Sequence, residues 1–598
     1  MTVVDLSKAN AANTQWGSDP IAELLRDLDI EFIALTPGAS FRGLHDSLVN
    51  YLGNTRPEIL LCVHEEHAVA MAHGYAKVLG RPMAVALHSN VGLMHATMSV
   101  FNAWCDRVPI LILGAVGPVD AVHRRPWVDW IHTARDLGAL IRGYTKWDDQ
   151  PSSVPAALEA IVRANQIAMT QPQGPVYVCL DAGMQEQMLE SPVEQPALER
   201  FRPPTPGDAP AEATARAAAA LRDAKNPLIL VGRVSTDMQD WDRRVALAER
   251  LNARVLTDLK TGASFPTTHP LHTHAPGLFV SADAGNLIRE ADVILSLDWV
   301  DLAGTLRVAC GGRFPESTII QCSVDQYIHN GWSMDYQAVP PAEISILTSP
   351  DRLVAKLLDV LGPGTDRPRR QSPEAPPPAS AKAGDAKTVP DDKITIEGLA
   401  RVSVETIGRH NPSYIRLPLG WPGEHARFSH PLDYIGFDGG GGIGSGPGMA
   451  VGAALALRGT GRLPVAILGD GDYLMGLTAL WTAVHQEVPL LIVIANNQSF
   501  FNDELHQERV ARLRNRPIEN RSIGLRMNDP PMDLAELAQG QGAEGLGPIQ
   551  KLSDLGTALE DAIEKVKAGA TCVVDVHVIP EYARAMSAAL LRTISANH

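Results

Sequence analysis

Residues 62–70 read CVHEEHAVA, which puts two histidines and two carboxylates within four positions. Such a cluster serves three chemistries: a metal site, a buried acid–base centre, or the acidic first turn of a helix. Some four hundred residues later, Gly469-Asp470-Gly471 follows the apolar run PVAIL, and Asn496-Asn497 follows LLIVIA. In open α/β sheets, ligands bind beyond the carboxyl ends of the strands. The glycines permit close backbone approach, and the Asp and Asn oxygens suit a hard cation such as Mg2+. A third polar turn, His88-Ser89, closes the run PMAVAL.

These turns need a scaffold. PMAVALHS, VPILILGA, NPLILVG, ADVILSLD, PVAILGDG and VPLLIVIANN are short and rich in Val, Ile and Leu, as buried strands are. Helical patterns such as HAVAMAHGYAKVLG and LTALWTAVHQE lie between them, so the chain reads as α/β with parallel sheets. Residues 362–393 are rich in Pro and Ala and read as a solvated linker, and a softer, proline-bearing break falls near 192–210. The expected units are 1–190, 205–361 and 394–598. The stretches beginning at Arg81 and Leu463 share one design: strand, polar turn, helix with a tryptophan (Trp104, Trp481), then Val-Pro and a strand. The first and third units therefore read as two versions of one βαβ plan.

Composition narrows the class. A hydrophobic share of 45% with 20% charged residues is that of a globular protein. A net charge of −16 disfavours nucleic-acid and anionic-membrane surfaces. The start has no basic and apolar leader pattern, and no apolar run is long enough for a bilayer. The six cysteines contain no CxxC pair, which suggests reduced thiols and a cytoplasmic setting.

The GDG and NN motifs, with twenty-four residues between them (472–495), resemble the magnesium–diphosphate signature of the thiamine-diphosphate-dependent enzymes. DGGGGIGSGPGMAVGAALA (438–456) resembles that family's glycine-rich segment, with Ile443 at the position of the residue that bends the cofactor. The resemblance implies three doubly wound parallel-sheet domains of the thiamine-diphosphate decarboxylase type: pyrimidine-binding, middle and diphosphate-binding. It implies thiamine diphosphate and Mg2+, held by Gly469, Asp470, Gly471, Asn497 and the carbonyl of Ser499. The family's glutamate stands nine residues before a Gly-Tyr-Ala. Gly74-Tyr75-Ala76 thus selects Glu65, whose carboxyl would meet the far pyrimidine nitrogen. Glu66 reads as a first-turn acid, His64 as a strand end, and His67 and His73 as packing residues.

LHSNVG and NAWCDRVPIL resemble the benzoylformate decarboxylase branch, which makes His88 a proton-transfer residue and His269, in SFPTTHP, a second one. That branch's serine after Pro-Gly is replaced here by Ala39, with the hydroxyl moved to Ser40. Ser89, His132, Arg124 and Arg125 are further candidate substrate contacts, and Arg509, Arg512 and Arg514 are candidates to steer an anion. The middle unit reads as a dinucleotide-type fold without a glycine fingerprint for FAD, NAD or ADP.

The implied reaction is non-oxidative decarboxylation of a 2-oxo acid, by ylid attack and an enamine. The alternatives are a carboligase of the acetolactate synthase kind and a lyase acting on a 2-hydroxy ketone or 2-hydroxyacyl thioester. A cofactor-binding paralogue without chemistry would not need Glu65, Ile443, Asp470 and Asn497 together. A zinc hydrolase at HEEH would survive loss of thiamine diphosphate. Family members share the cofactor between subunits, which implies a homodimer or homotetramer.

Overall fold

The computed structural model describes residues 16–325, 339–363 and 392–582. Most of the linker and the end of the C-terminal tail lie outside the described residues. Three all-parallel sheets carry the fold. The first is built from β1 (Phe32–Leu35), β2 (Glu58–Leu61), β3 (Ala84–His88), β4 (Leu111–Val116), β5 (Asp148–Asp149) and β6 (Val176–Asp181), ordered β2-β1-β3-β4-β6-β5. The second holds β7 (Pro227–Val231), β8 (Arg254–Leu256), β9 (Val293–Leu297), β10 (Thr318–Ser323) and β11 (Ile344–Leu347), ordered β11-β10-β9-β7-β8. The third holds β12 (Pro412–Arg416), β13 (Leu463–Gly469), β14 (Leu490–Asn496), β15 (Glu544–Ile549) and β16 (Thr571–His577), ordered β12-β13-β14-β16-β15.

The first and third sheets share one order once β2 is set aside. The pair β3–β4 occupies the place of β13–β14, so His88-Ser89 and Gly469-Asp470 stand at equivalent strand ends. This is the architecture the internal sequence similarity requires. In the middle sheet, Gly232 follows β7 and packs against the backbone of Asp298 and Trp299 after β9. A side chain there would run into that backbone, so this glycine serves packing.

The first and third units meet through two helices, Glu65–Leu79 and Gly446–Ala456. The second is buried all round, as its run GPGMAVGAALA demands. Side chains on Gly74 or Gly452 would collide with the backbone of Met449 or Met71, and one on Gly448 would lie 2.7 Å from Ala70 Cβ. The glycine of Gly-Tyr-Ala is therefore a contact point between helices. That is the physical reason its distance from Glu65 is informative. One apolar core runs through both units, joining Tyr75, Leu87 and Val100 to Val451, Leu468 and Tyr473.

Buried histidines couple this packing to pH. His67 Nδ1 lies 3.1 Å from Thr478 Oγ1 across the same interface, and burial lowers its pKa from 6.5 to about 4. His272, in the middle unit, is likewise lowered by burial to about 4. The unfolded chain protonates these rings more readily, so stability is whole above pH 6.5 and declines as pH falls toward 4. Each histidine costs up to about 1.4 kcal/mol per pH unit in that window. Urea titrations between pH 7 and 4 are expected to show the decline, and His67→Asn to reduce its slope. An equal slope in the variant would remove His67 from this account.

Among the described residues, no helix is long and apolar enough to cross a membrane. The six cysteines form no disulfide, and five of them are buried.

Candidate active site

Glu65 is set by a helix start. His64 is the extended N-cap, and its Nδ1 accepts from the Glu66 N–H at 3.2 Å. Glu65 takes the first helical position at the carboxyl edge of the first sheet and is only 7% exposed. Its Oε2 lies 2.9 Å from His95 Nδ1, on the helix Ser89–Cys105. Gly92, one turn earlier on that helix, makes the room: a Cβ there would lie 3.1 Å from Glu65 Cγ. Glu66 turns elsewhere. Burial and the neighbouring charge of Asp472 raise its pKa, so it faces the third unit.

The candidate pocket residues converge. Ser40 Oγ lies 2.8 Å from His88 Nδ1, so the hydroxyl displaced by one position still meets this histidine. The His88 and His132 rings stand 4.9 Å apart, and Ser89 Oγ donates to the His132 carbonyl. Burial and then His132 lower the His88 pKa, with Glu65 acting in the opposite direction. His132 Nδ1 is buried without a hydrogen-bond partner among the described residues. Ala39 is exposed and offers only its carbonyl, which accepts from Arg42. A separate cavity of about 240 Å³ is lined by Ile33, Leu35, Phe41, Arg42, Leu44 and His45 among others, and neither Ser40 nor His88 lines it.

The glycine-rich loop carrying Ile443 is held from two sides. Asn102, on the helix Ser89–Cys105, exchanges hydrogen bonds of 3.4 Å with the backbone of Gly442. Asp472 Oδ1 accepts from the Gly444 N–H at 2.6 Å and the Gly446 N–H at 3.2 Å. Arg416 ties this together from below, 2.5 Å from Asp438 and 3.0 Å from Asp472. Burial opposes its charge, but the two aspartates hold the guanidinium above its ordinary pKa. Sequence reasoning missed Arg416, Asp472 and His95. The second aspartate of GDGD was a visible signal, whereas nothing local marked Arg416 or His95.

At the end of β13, Asp470 opens the helix Asp470–Gly476. Its Oδ1 accepts from Gly471 N–H at 2.9 Å and its Oδ2 from Ser499 N–H at 3.3 Å. Asn497 Oδ1 accepts from the same Ser499 N–H at 2.9 Å, so the three residues meet. Asn496 is used structurally, donating to Asp575 at 2.9 Å. Burial raises the Asp470 carboxyl to about 6, against the lowering effect of the backbone N–H groups it accepts from. A Cβ on Gly469 would meet nothing within 4 Å, so the strand end is open. The carboxylate of Asp470 and the amide oxygen of Asn497 beside such a space fit a hard divalent cation.

Other candidates lie apart from this assembly. His269 sits 3.3 Å from Glu249, and its Nδ1 accepts from Leu271 N–H, both partners within the middle unit. Arg124 donates to the carbonyls of Pro118 and Val119, and Arg125 pairs with Asp129, so their own loop uses both guanidiniums. In the helix Phe501–Leu513, Arg512 pairs with Glu508, while Arg514 is exposed. His73 is buried against Asp106 at 2.8 Å. His64, Glu65 and His95 gather ligand atoms within 4.8 Å, whereas His67 points to Thr478. The HEEH pair of histidines therefore does not form a ligand set by itself.

Comparison with known proteins gives a match in each of the three units. Residues 15–140 match the thiamine pyrophosphate enzyme N-terminal TPP binding domain, 214–329 its central domain, and 419–576 its C-terminal TPP binding domain. Benzoylformate decarboxylase of Pseudomonas aeruginosa is 27% identical, over 74% of this chain and 79% of its own length. Acetolactate synthase large subunit of Haemophilus influenzae is 24% identical, over 91% of this chain and 92% of its own. The crystal structure of benzoylformate decarboxylase from Polynucleobacter necessarius superposes with a TM-score of 0.76 at 22% identity, covering 95% of this chain and 99% of that one.

Proposed function

The chain belongs to the thiamine pyrophosphate enzymes, those of the decarboxylase and acetolactate synthase kind, and we propose that it decarboxylates a 2-oxo acid without oxidation. The products are carbon dioxide and an aldehyde, with one proton taken up. The observation that carries this reading is the Ser40–His88–His132 cluster, at the same carboxyl edge of the first sheet that carries buried Glu65.

When bound, thiamine diphosphate supplies a nucleophilic ring carbon and a cationic ring that accepts the electrons left by a departing carboxylate. Glu65 would hold or release a proton at the pyrimidine nitrogen. Ile443 would set the angle between the cofactor's rings. Asp470, Asn497 and the Ser499 carbonyl would bind Mg2+ and, through it, the diphosphate. His88 is depressed by burial and His132, so it stands neutral near pH 7 and can take or return a proton at Nε2. Its Nδ1 is occupied by Ser40.

Ligation of a second carbonyl compound would use the same groups, and the likeness to acetolactate synthase supports that as the second reading. We also propose a homodimer or a larger homo-oligomer. Apolar Met94, 58% exposed, together with exposed Val63, Val91 and Met475 on the segments around the site, supports a second copy of the chain. The test is to supply cofactor and Mg2+, offer a panel of 2-oxo acids, and measure aldehyde and carbon dioxide. His88→Ala is expected to lower the preferred turnover about 100-fold. Absence of any cofactor-dependent decarboxylation across the panel would sink the reading, and acyloin as the sole product would move it to ligation.

A further inference from the structure

His95 is the residue whose role the proposed chemistry leaves unassigned, and it touches the group that chemistry depends on. Its Nδ1 lies 2.9 Å from Glu65 Oε2. The carboxyl of Glu65 is almost wholly enclosed, while the His95 side chain is half exposed, so this imidazole links a buried acid to the outside. Two features fix the ring. It stacks on His64 with centroids 5.1 Å apart and planes 19° from parallel. His64 is itself held by the Glu66 N–H as the helix cap.

A carboxyl group turns easily about its last bond and has two similar oxygens. Only one of them can face a ligand in a productive direction, and a displacement near 1 Å costs about 100-fold in rate. We propose that His95 is a positioning residue: it holds Oε2 of Glu65 and so presents Oε1 to the pyrimidine nitrogen of the cofactor. The proposal rests on the thiamine-diphosphate reading given above. Imidazole suits both states of the acid. Neutral His95 donates from Nδ1 to the carboxylate in one tautomer and accepts the carboxyl proton at Nδ1 in the other. Gly92 belongs to the same device, since Oε1 lies 3.3 Å from where its Cβ would be. One helix thus supplies the space at Gly92 and, a turn later, the hydrogen bond at His95.

The experiment compares His95→Leu, His95→Gln and Glu65→Gln, singly and with His95→Leu combined with Glu65→Gln. Cofactor affinity is read from tryptophan fluorescence, the imino form of the bound pyrimidine from its near-ultraviolet circular dichroism, and kcat and KM from turnover. His95→Leu is expected to lose most of the imino signal and about 100-fold in kcat, with KM within about threefold of the parent. His95→Gln, which keeps a donor and an acceptor, is expected to recover within about tenfold. The double variant should be no worse than Glu65→Gln alone, because His95 acts through that carboxyl. A His95→Leu protein with parental dichroism and kcat, or losses that add in the double variant, would overturn the proposal. Thermal melting of each variant separates misfolding from misplacement, and equal losses in Leu and Gln variants that melt normally also overturn it. A parent chain that binds no thiamine diphosphate overturns the functional reading itself, which these His95 results by themselves cannot do.

Discussion

Glu65→Gln is expected to lower turnover by about three orders of magnitude while leaving the fold intact. The substitution keeps the size of the side chain and its ability to hydrogen-bond His95, so packing around Gly92 is preserved. What it removes is the exchangeable proton. A positioned acid or base contributes about 10²- to 10⁴-fold, and a group buried at a helix start has no solvent substitute. Glu66→Gln is the control. Glu66 faces the like charge of Asp472, and its pKa is raised by burial and by that charge, so neutralising it relieves repulsion. Its turnover should stay within about threefold of the parent and its melting temperature should hold or rise. Steady-state kinetics at saturating cofactor, paired with thermal melting, decide the matter. An active Glu65→Gln beside an inactive Glu66→Gln would transfer the role to the neighbouring acid.

Asp470→Ala is expected to weaken magnesium-dependent retention of the cofactor by about 100-fold or more. The affected carboxylate is buried, pushed up to about 6, and accepts from the Gly471 and Ser499 N–H groups. Removing it takes away the charge a divalent cation needs. The apoprotein should melt no lower than the parent, because an unpaired buried charge is lost with the side chain. The readout is cofactor left on the protein after gel filtration with and without Mg2+. A variant that keeps its cofactor as well as the parent would count against the metal site.

Both targets stood out in the sequence for local reasons. GDG and NN each end an apolar strand, and consecutive strands of one βαβ unit lie side by side, as β13 and β14 do. Glu65 is singled out from two adjacent acids by the resemblance, which places the family's glutamate nine residues before a Gly-Tyr-Ala. That distance has a cause, because Gly74 is where the helix Glu65–Leu79 presses on the backbone at Met449. His269 was nominated in another way. The reading rested on its match to a second active-site histidine of the benzoylformate decarboxylase branch, and within one chain that histidine lies beside Glu249 in the middle unit. No local pattern reports which way such a loop turns.

By itself, then, the sequence determined what depends on short range: strand and helix periods, strand-end turns, the order of the three sheets' units, and the helix start at Glu65. Only the tertiary structure decided the pairings across elements. Ser40 meets His88 across 48 residues, His95 meets Glu65 across 30, and Arg416 meets Asp438 across 22 and Asp472 beyond it. Each such contact needs a particular strand neighbour or helix face, and a single sequence states neither. A hydrogen bond has a reach of about 3 Å, while sheet order and helix rotation move side chains by far more. Residue type and spacing can nominate the chemistry, but which oxygen of Glu65 is free to perform it is fixed by packing.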